Sequence, residues 1–177
     1  HLVVQQLSDR GLASVAVDLP GDDPKAGLSE YVDLVVHAAS GLDDVVIVGQ
    51  SIGGFTSSWA AGLVPTRQLI LLNAMIPKPG ETAGEWWGNT GSAEAKRAFD
   101  IEQGRDPAAP FDDEVFLHDV PPENLPDEEE RDETETIFET PWGLERWPDV
   151  PTRVLSGYDD RLFPFTFQQR VARERLG

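Results

Sequence analysis

The chain has 177 residues, a formal net charge of −18 and no cysteine. This length suits one domain with a sizeable core, and the lack of cysteine excludes disulfides, thiolate metal sites and cysteine catalysis. The negative charge argues against nucleic acid or an anionic membrane as a partner, because either would be repelled. No apolar run approaches the ~20 residues that a bilayer crossing needs, and no signal peptide opens the chain, which favours a cytoplasmic location.

The first 75 residues alternate between strand and helix patterns. Short apolar runs predict strands, and apolar residues at spacings of three and four predict helices. The continuously apolar run at 45–48 is typical of a strand buried on both faces of a parallel sheet. The predicted elements are a strand at 14–17, a helix at 28–39, a strand at 45–48, a helix at 52–63 and a strand at 69–72. This order predicts βαβ units, a parallel sheet and an α/β fold class.

The alternation stops at residues 77–147, which are richer in Pro, Gly, Trp and acidic residues. Between Asp112 and Glu135 there are twelve acidic residues and one basic residue. A solvated helix face is favoured over a metal site for this run, because calcium loops place their ligands around a glycine that is missing here. Four tryptophans in the insert either line a pocket or anchor its core: Trp86, Trp87, Trp142 and Trp147.

Strand character returns at residues 153–156, and a helix is predicted from Pro164 to Leu176. Residues 1–76 and 148–177 are therefore interpreted as two parts of one α/β core. Residues 77–147 are interpreted as an insertion into that core.

A G-x-S-x-G motif places Ser51 between a predicted strand and a predicted helix, within VVIVGQSIGG. Such a turn raises a nucleophilic serine above the edge of a sheet. Side chains at Gly49 or Gly53 are expected to collide with the backbone of so tight a turn. The Ile52 N–H, at the start of the helix, would stabilise an oxyanion. The alternative is that Ser51 only caps an ordinary helix.

A serine nucleophile needs a base, and the base needs a third group to orient it. Asp160 is the predicted acid and Asp159 the reserve, because both follow the strand at 153–156. The preceding strand ends at Asn73 rather than at an acid, which removes the rival position. A simple role in forming the turn is the alternative for either aspartate.

These motifs resemble the α/β-hydrolase superfamily, through SVAVDLPG, VVIVGQSIGGF, LILLNA and VPTRVLSGYDDRLFP in that order. The likeness is strongest to the cofactor-free branch with carboxylesterases, methylesterases and hydroxynitrile lyases. It implies a parallel-stranded core, with residues 77–147 as a helical cap. It also implies a nucleophile elbow at Ser51, an oxyanion donor at Ile52 and a catalytic triad that includes Asp160.

The sequence departs from the family pattern in its histidine. The family histidine follows one more strand, which would place it about 10–20 residues beyond Gly177. His1, His37 and His118 are poor substitutes, and His118 is the best of them because a cap can overhang a site. The family's strand and His-Gly turn that supply the second oxyanion donor would precede His1. We therefore expect an internal fragment of a longer hydrolase, with a core incomplete at both ends and little or no activity as written.

The predicted function is carboxylesterase-like hydrolysis of a small apolar ester through an acyl-enzyme, without a cofactor or metal. Trp86 and Trp87 are the predicted pocket residues. One alternative is hydroxynitrile-lyase-type carbon–carbon cleavage, and another is a non-catalytic ligand-binding relative. The predicted partner is a small-molecule ester.

Overall fold

The structure, a computed structural model, describes residues 2–110, 112–125 and 134–177. Its helices and strands follow one another as α1 (Leu2–Ser8), α2 (Leu28–Ala38), β1 (Val45–Ser51), α3 (Gly53–Ala61), β2 (Thr66–Ala74), α4 (Ala83–Thr90), α5 (Ser92–Glu102), α6 (Asp113–Leu117), a 3-10 turn (Pro122–Asn124), α7 (Thr136–Glu139), β3 (Thr152–Leu155) and α8 (Phe165–Leu176). None of these helices is long and apolar enough to cross a membrane.

The three strands form one parallel sheet in the order β1-β2-β3. Leu71, near the middle of β2, pairs with Gly49 on β1 and with Val154 on β3. Helices α2 and α3 pack together, and α3 packs on β1 and β2. The α/β class and the parallel sheet predicted from the alternating pattern are confirmed.

The strand predicted at residues 14–17 is wrong, because this segment has no regular secondary structure. Val15 is 76% exposed. A strand is held by its pairing with a neighbour rather than by its β-branched residues alone. Among the described residues, no strand pairs with this segment.

The expectation that residues 45–48 are buried on both faces is also wrong. Ile47 is buried, whereas Val46 and Val48, which point the other way, are 37% and 58% exposed. The same alternation places buried Leu69 and Leu71 on the helix-covered face. The opposite face is uncovered in the described part of the chain. We call it the uncovered sheet face and define it by Val46, Val48, Leu72 and Leu155.

We call the segment between β2 and β3 the cap, after its predicted role, and it contains helices α4 to α7. Helix α4 begins with a capping box, in which Thr82 and Glu85 satisfy each other's backbone N–H groups at 3.1 and 3.0 Å. Trp86 and Trp142 are each 1% exposed and anchor the core of this region. Half of the twelve acidic residues of the acidic run lie in residues 126–133, outside the described residues. The limits of the insertion, residues 77–147, and its role as a cap stay predictions.

Candidate active site

Ser51 is the last residue of β1, and α3 begins two residues later. Its φ of 51° is left-handed, a conformation that costs a non-glycine residue free energy and is concentrated at functional sites. In the described residues, Asn73 is the other non-glycine residue with positive φ, and it lies near the end of the adjacent strand. The side chain of Ser51 is exposed at the carboxyl edge of the sheet.

Gly49 and Gly54 are the two glycines near the Ser51 turn that have no room for a side chain, whereas the sequence predicted Gly49 and Gly53. A Cβ on Gly49 would overlap the Ser57 side chain and the Gly53 carbonyl oxygen, as expected. A Cβ on Gly53 would have no atom within 4 Å, so the expected collision there is wrong. Gly54 is the second constrained position, because its Cβ would overlap the Met75 carbonyl oxygen.

Ile52 is the N-cap residue of α3. The first backbone N–H groups of a helix have no partner inside the helix, and they point towards its N-terminal end. The Ile52 N–H therefore lies next to Ser51 in a position that suits an oxyanion. The predicted role of Ile52 fits this geometry and stays a prediction.

Asp160 lies in the loop after β3 and is partly buried, whereas Asp159 is exposed. Its Oδ1 atom accepts the N–H groups of Leu162 at 2.9 Å and Phe163 at 2.7 Å. Both bonds use Oδ1, so Oδ2 takes part in neither. Burial raises the pKa of Asp160, and the two backbone N–H groups offset part of this rise. This arrangement favours Asp160 over Asp159 as the acid that orients a base.

Ser51 and Asp160 line one polar cavity of about 270 Å³. Asn73, Asp159 and His118 line the same cavity. A positive charge on His118 lowers the pKa of Asp160, and the charge of the neighbouring Asp119 raises it. Of the two histidines that the structure describes, His118 reaches this site and His37 is exposed on α2.

Ser51 also lines a second, apolar cavity of about 390 Å³. The other residues of its wall are Ile52, Met75, Trp87, Phe116, Phe138 and Leu162. Trp87 therefore lies where a pocket residue was predicted. Trp86 lines neither cavity, because its ring is buried and its Nε1 donates to the Ile76 carbonyl at 3.0 Å. It supports Trp87 through an edge-on contact, with 5.7 Å between the ring centroids.

Sequence reasoning missed Met75, Phe116, Phe138 and Leu162 as residues of the apolar cavity. Met75 follows β2 directly, so its place beside Ser51 could have been read from the parallel pairing of the two strands. The two phenylalanines lie in cap segments without a periodic pattern, which gave no signal. No cluster of three or more side chains suited to a metal ion occurs in the described residues.

The sequence matches the model of the Alpha/beta hydrolase family over residues 1–177. The chain belongs to this family. The resemblance stated from the motifs is thereby confirmed. A search of curated proteins finds no match to this α/β hydrolase.

Solved structures of similar fold include a pyrethroid hydrolase from Sphingobium faniae JZ-2. The TM-score is 0.74 at 24% sequence identity, and the match covers 99% of this chain and 78% of that one. An extracellular α/β-hydrolase from a Paenibacillus species has a TM-score of 0.62 at 16% identity. That match covers 95% of this chain and 78% of the other. At these identities the likeness shows a shared fold.

Proposed function

We propose that this α/β hydrolase cleaves small, mainly apolar carboxylic esters with Ser51 as the nucleophile. The observation that carries the proposal is the position of Ser51 on a left-handed strand-to-helix turn where two cavities meet. The apolar cavity suits the hydrocarbon part of an ester. The polar cavity, which contains Asp160, suits the groups that move the proton.

In the proposed reaction, the Ser51 hydroxyl attacks the acyl carbon while a histidine imidazole takes its proton, and His118 is the histidine of the described residues that lines the polar cavity. The Ile52 N–H donates to the oxyanion, and Asp160 orients the imidazole and stabilises its charged form. The carbon–oxygen bond to the alcohol then breaks, the imidazole returns the proton to the alcohol, and an acyl-enzyme remains. Water attacks this intermediate by the same route and releases the acid.

The comparison supports the reaction class without fixing the substrate. The Sphingobium protein is named a pyrethroid hydrolase, and it shares the fold over nearly the whole of this chain. The wall of the apolar cavity contains three aromatic residues, Trp87, Phe116 and Phe138. Aromatic or branched acyl groups are therefore the proposed substrates in preference to charged ones.

The test compares the protein with its Ser51→Ala variant, using p-nitrophenyl acetate, butyrate and benzoate and a fluorophosphonate probe. Ser58→Ala is the matched control, because Ser58 is a buried α3 serine whose hydroxyl bonds only within its own helix. Turnover and labelling that persist in Ser58→Ala and vanish in Ser51→Ala support the proposal. Labelling that survives in Ser51→Ala contradicts it.

Two further outcomes separate the alternatives. Ligand binding that is unchanged in Ser51→Ala, without ester turnover, would support a non-catalytic binding protein. Labelling of Ser51 that is lost in His118→Ala would assign the imidazole to His118. Labelling of Ser51 that is unchanged in His118→Ala would show that a residue other than His118 is the base.

A further inference from the structure

Asn73 occupies an irregular position in the sheet beside the candidate site. Gln50 of β1 pairs with Leu72 of β2, but the next residue, Ser51, pairs with Ala74. Asn73 is therefore an extra residue between two paired positions, which is the arrangement of a β-bulge. Its φ of 44° is left-handed. Bulges of this kind redirect a side chain, and here the redirected side chain reaches the neighbouring loop.

The side chain of Asn73 holds the loop that carries the candidate acid. Its Oδ1 accepts the N–H of Gly157 at 2.6 Å, across 84 residues of sequence. Gly157 lies two residues after β3 ends and three residues before Asp160. A Cβ on Gly157 would lie 3.3 Å from the Asn73 amide nitrogen, so the two residues are also closely packed. The start of the acid loop is thus fixed to the end of β2.

We propose that Asn73 is a positioning residue that sets the place of the Asp160 carboxylate relative to Ser51, an inference that rests on the proposed function. The loop is held at two points. Asn73 accepts the N–H of Gly157, the second residue of the loop, and Asp160 itself accepts the N–H groups of Leu162 and Phe163. Asn73, Asp160 and Ser51 line the same polar cavity. Asn73 acts through the loop and takes no part in bond making or breaking.

A simpler role for Asn73 is to tolerate the left-handed backbone of the bulge, which asparagine does better than most residues. The two roles predict different behaviour for glycine at this position. Glycine adopts positive φ without strain but has no oxygen to accept the Gly157 N–H. Asn73→Gly therefore removes the hydrogen bond and preserves the backbone conformation.

The first measurement is amide hydrogen exchange at Gly157 in the wild type and in Asn73→Gly, Asn73→Ala and Asn73→Asp. Loss of one hydrogen bond predicts exchange at Gly157 that is faster by about tenfold in the Gly and Ala variants. Asn73→Asp keeps an oxygen acceptor and is expected to keep the protection. Amides in the middle of β2 serve as the internal control for global stability. Unchanged protection of Gly157 in Asn73→Gly overturns the proposal.

The second measurement is the split between kcat and KM for ester hydrolysis. Misplacing the carboxylate is expected to lower kcat by about tenfold in Asn73→Gly and Asn73→Ala, with little change in KM. Asn73→Asp, assayed at alkaline pH, is expected to recover most of the activity. A kcat in Asn73→Gly equal to that of the wild type would show that activity needs only the left-handed backbone at this position and not the hydrogen bond. That result would overturn the proposal. If the wild-type protein neither hydrolyses an ester nor is labelled at Ser51 by the fluorophosphonate probe, the proposed function fails, and exchange at Gly157 decides the inference by itself.

Discussion

Arg175, in the last turn of α8, forms a buried ion pair with Glu81, which lies 94 residues earlier at the start of the cap. The two side chains are 2% and 4% exposed. Glu81 also accepts the amide of Asn89 at 2.9 Å, and Arg175 also donates to the Ile76 carbonyl at 2.5 Å. The pair therefore joins the final helix to the first part of the cap.

Removing one partner of this pair is predicted to destabilise the protein strongly. Arg175→Met leaves the Glu81 carboxylate buried without its cation, which typically costs about 3–5 kcal/mol. The double variant with Glu81→Gln removes the uncompensated charge and is expected to recover part of that loss. Urea unfolding of the wild type and of these two variants measures the effect. An Arg175→Met variant no less stable than the double variant would contradict this account.

Gly53 and Gly54, adjacent residues at the start of α3, are predicted to respond in opposite ways to alanine. Gly54→Ala forces a methyl group against the Met75 carbonyl, and overpacking of this kind costs about 1–3 kcal/mol. Gly53→Ala adds a methyl group in open space, where alanine favours a helix by up to about 1 kcal/mol. Thermal unfolding of the two variants tests the difference, and equal melting temperatures would refute it.

The left-handed conformation of Ser51 predicts a trade-off between stability and function. Ser51→Gly relieves the strain, whereas Ser51→Ala retains it, so the glycine variant is expected to be more stable by about 1 kcal/mol. Both variants lack the proposed nucleophile and are expected to be inactive. Denaturant unfolding measures the difference, and a glycine variant less stable than the alanine variant would argue against strain at this position.

The raised pKa of Asp160 links stability to pH with a definite sign. Burial makes the folded protein bind this proton more tightly than the unfolded chain does. The resulting stabilisation is present below the ordinary aspartate pKa and is lost as the pH rises through the folded pKa. At neutral pH the ionised carboxylate therefore opposes folding. Asp160→Asn is expected to be more stable than the wild type at neutral pH, and that advantage should disappear in acid.

The charges next to Asp160 predict that two neighbouring substitutions shift its pKa in opposite directions. His118→Gln removes a positive charge that lowers the pKa of Asp160, so this pKa should rise. Asp119→Asn removes a negative charge that raises it, so the pKa should fall. Carbon-detected NMR titration of the Asp160 carboxyl group measures both. Shifts of the same sign in the two variants would show that charge is not the cause.

The strands and longer helices of the core could be predicted because their apolar periodicity is local. The pattern at 28–39 appears as α2, and the runs at 45–48 and 69–72 appear inside β1 and β2. The G-x-S-x-G motif placed Ser51 at a strand-to-helix turn for the same reason. Burial on both faces could not be predicted, since it depends on what covers each face of the sheet.

Two details of the site could not be predicted from local sequence patterns. One depends on the pairing of two strands, and the other depends on which side of a helix faces the cavity. The bulge at Asn73 exists only in the register between β1 and β2. Trp86 and Trp87 are adjacent in sequence, yet one is buried and the other lines the apolar cavity. Neighbouring helical residues point in directions about 100° apart, and the sequence does not say which direction faces the cavity.

The uncovered sheet face has a consequence for how copies of this protein behave towards one another in solution. Its valine and leucine side chains offer an apolar surface that two copies could bury together. The formal charge of −18 opposes such contact through long-range repulsion. Added salt reduces the range of that repulsion to about 8 Å at physiological ionic strength, and acid removes the repulsion near the isoelectric point. Association of the protein should therefore increase with added salt and with acidity. Light scattering should show a smaller increase for a Val48→Lys variant than for the wild type.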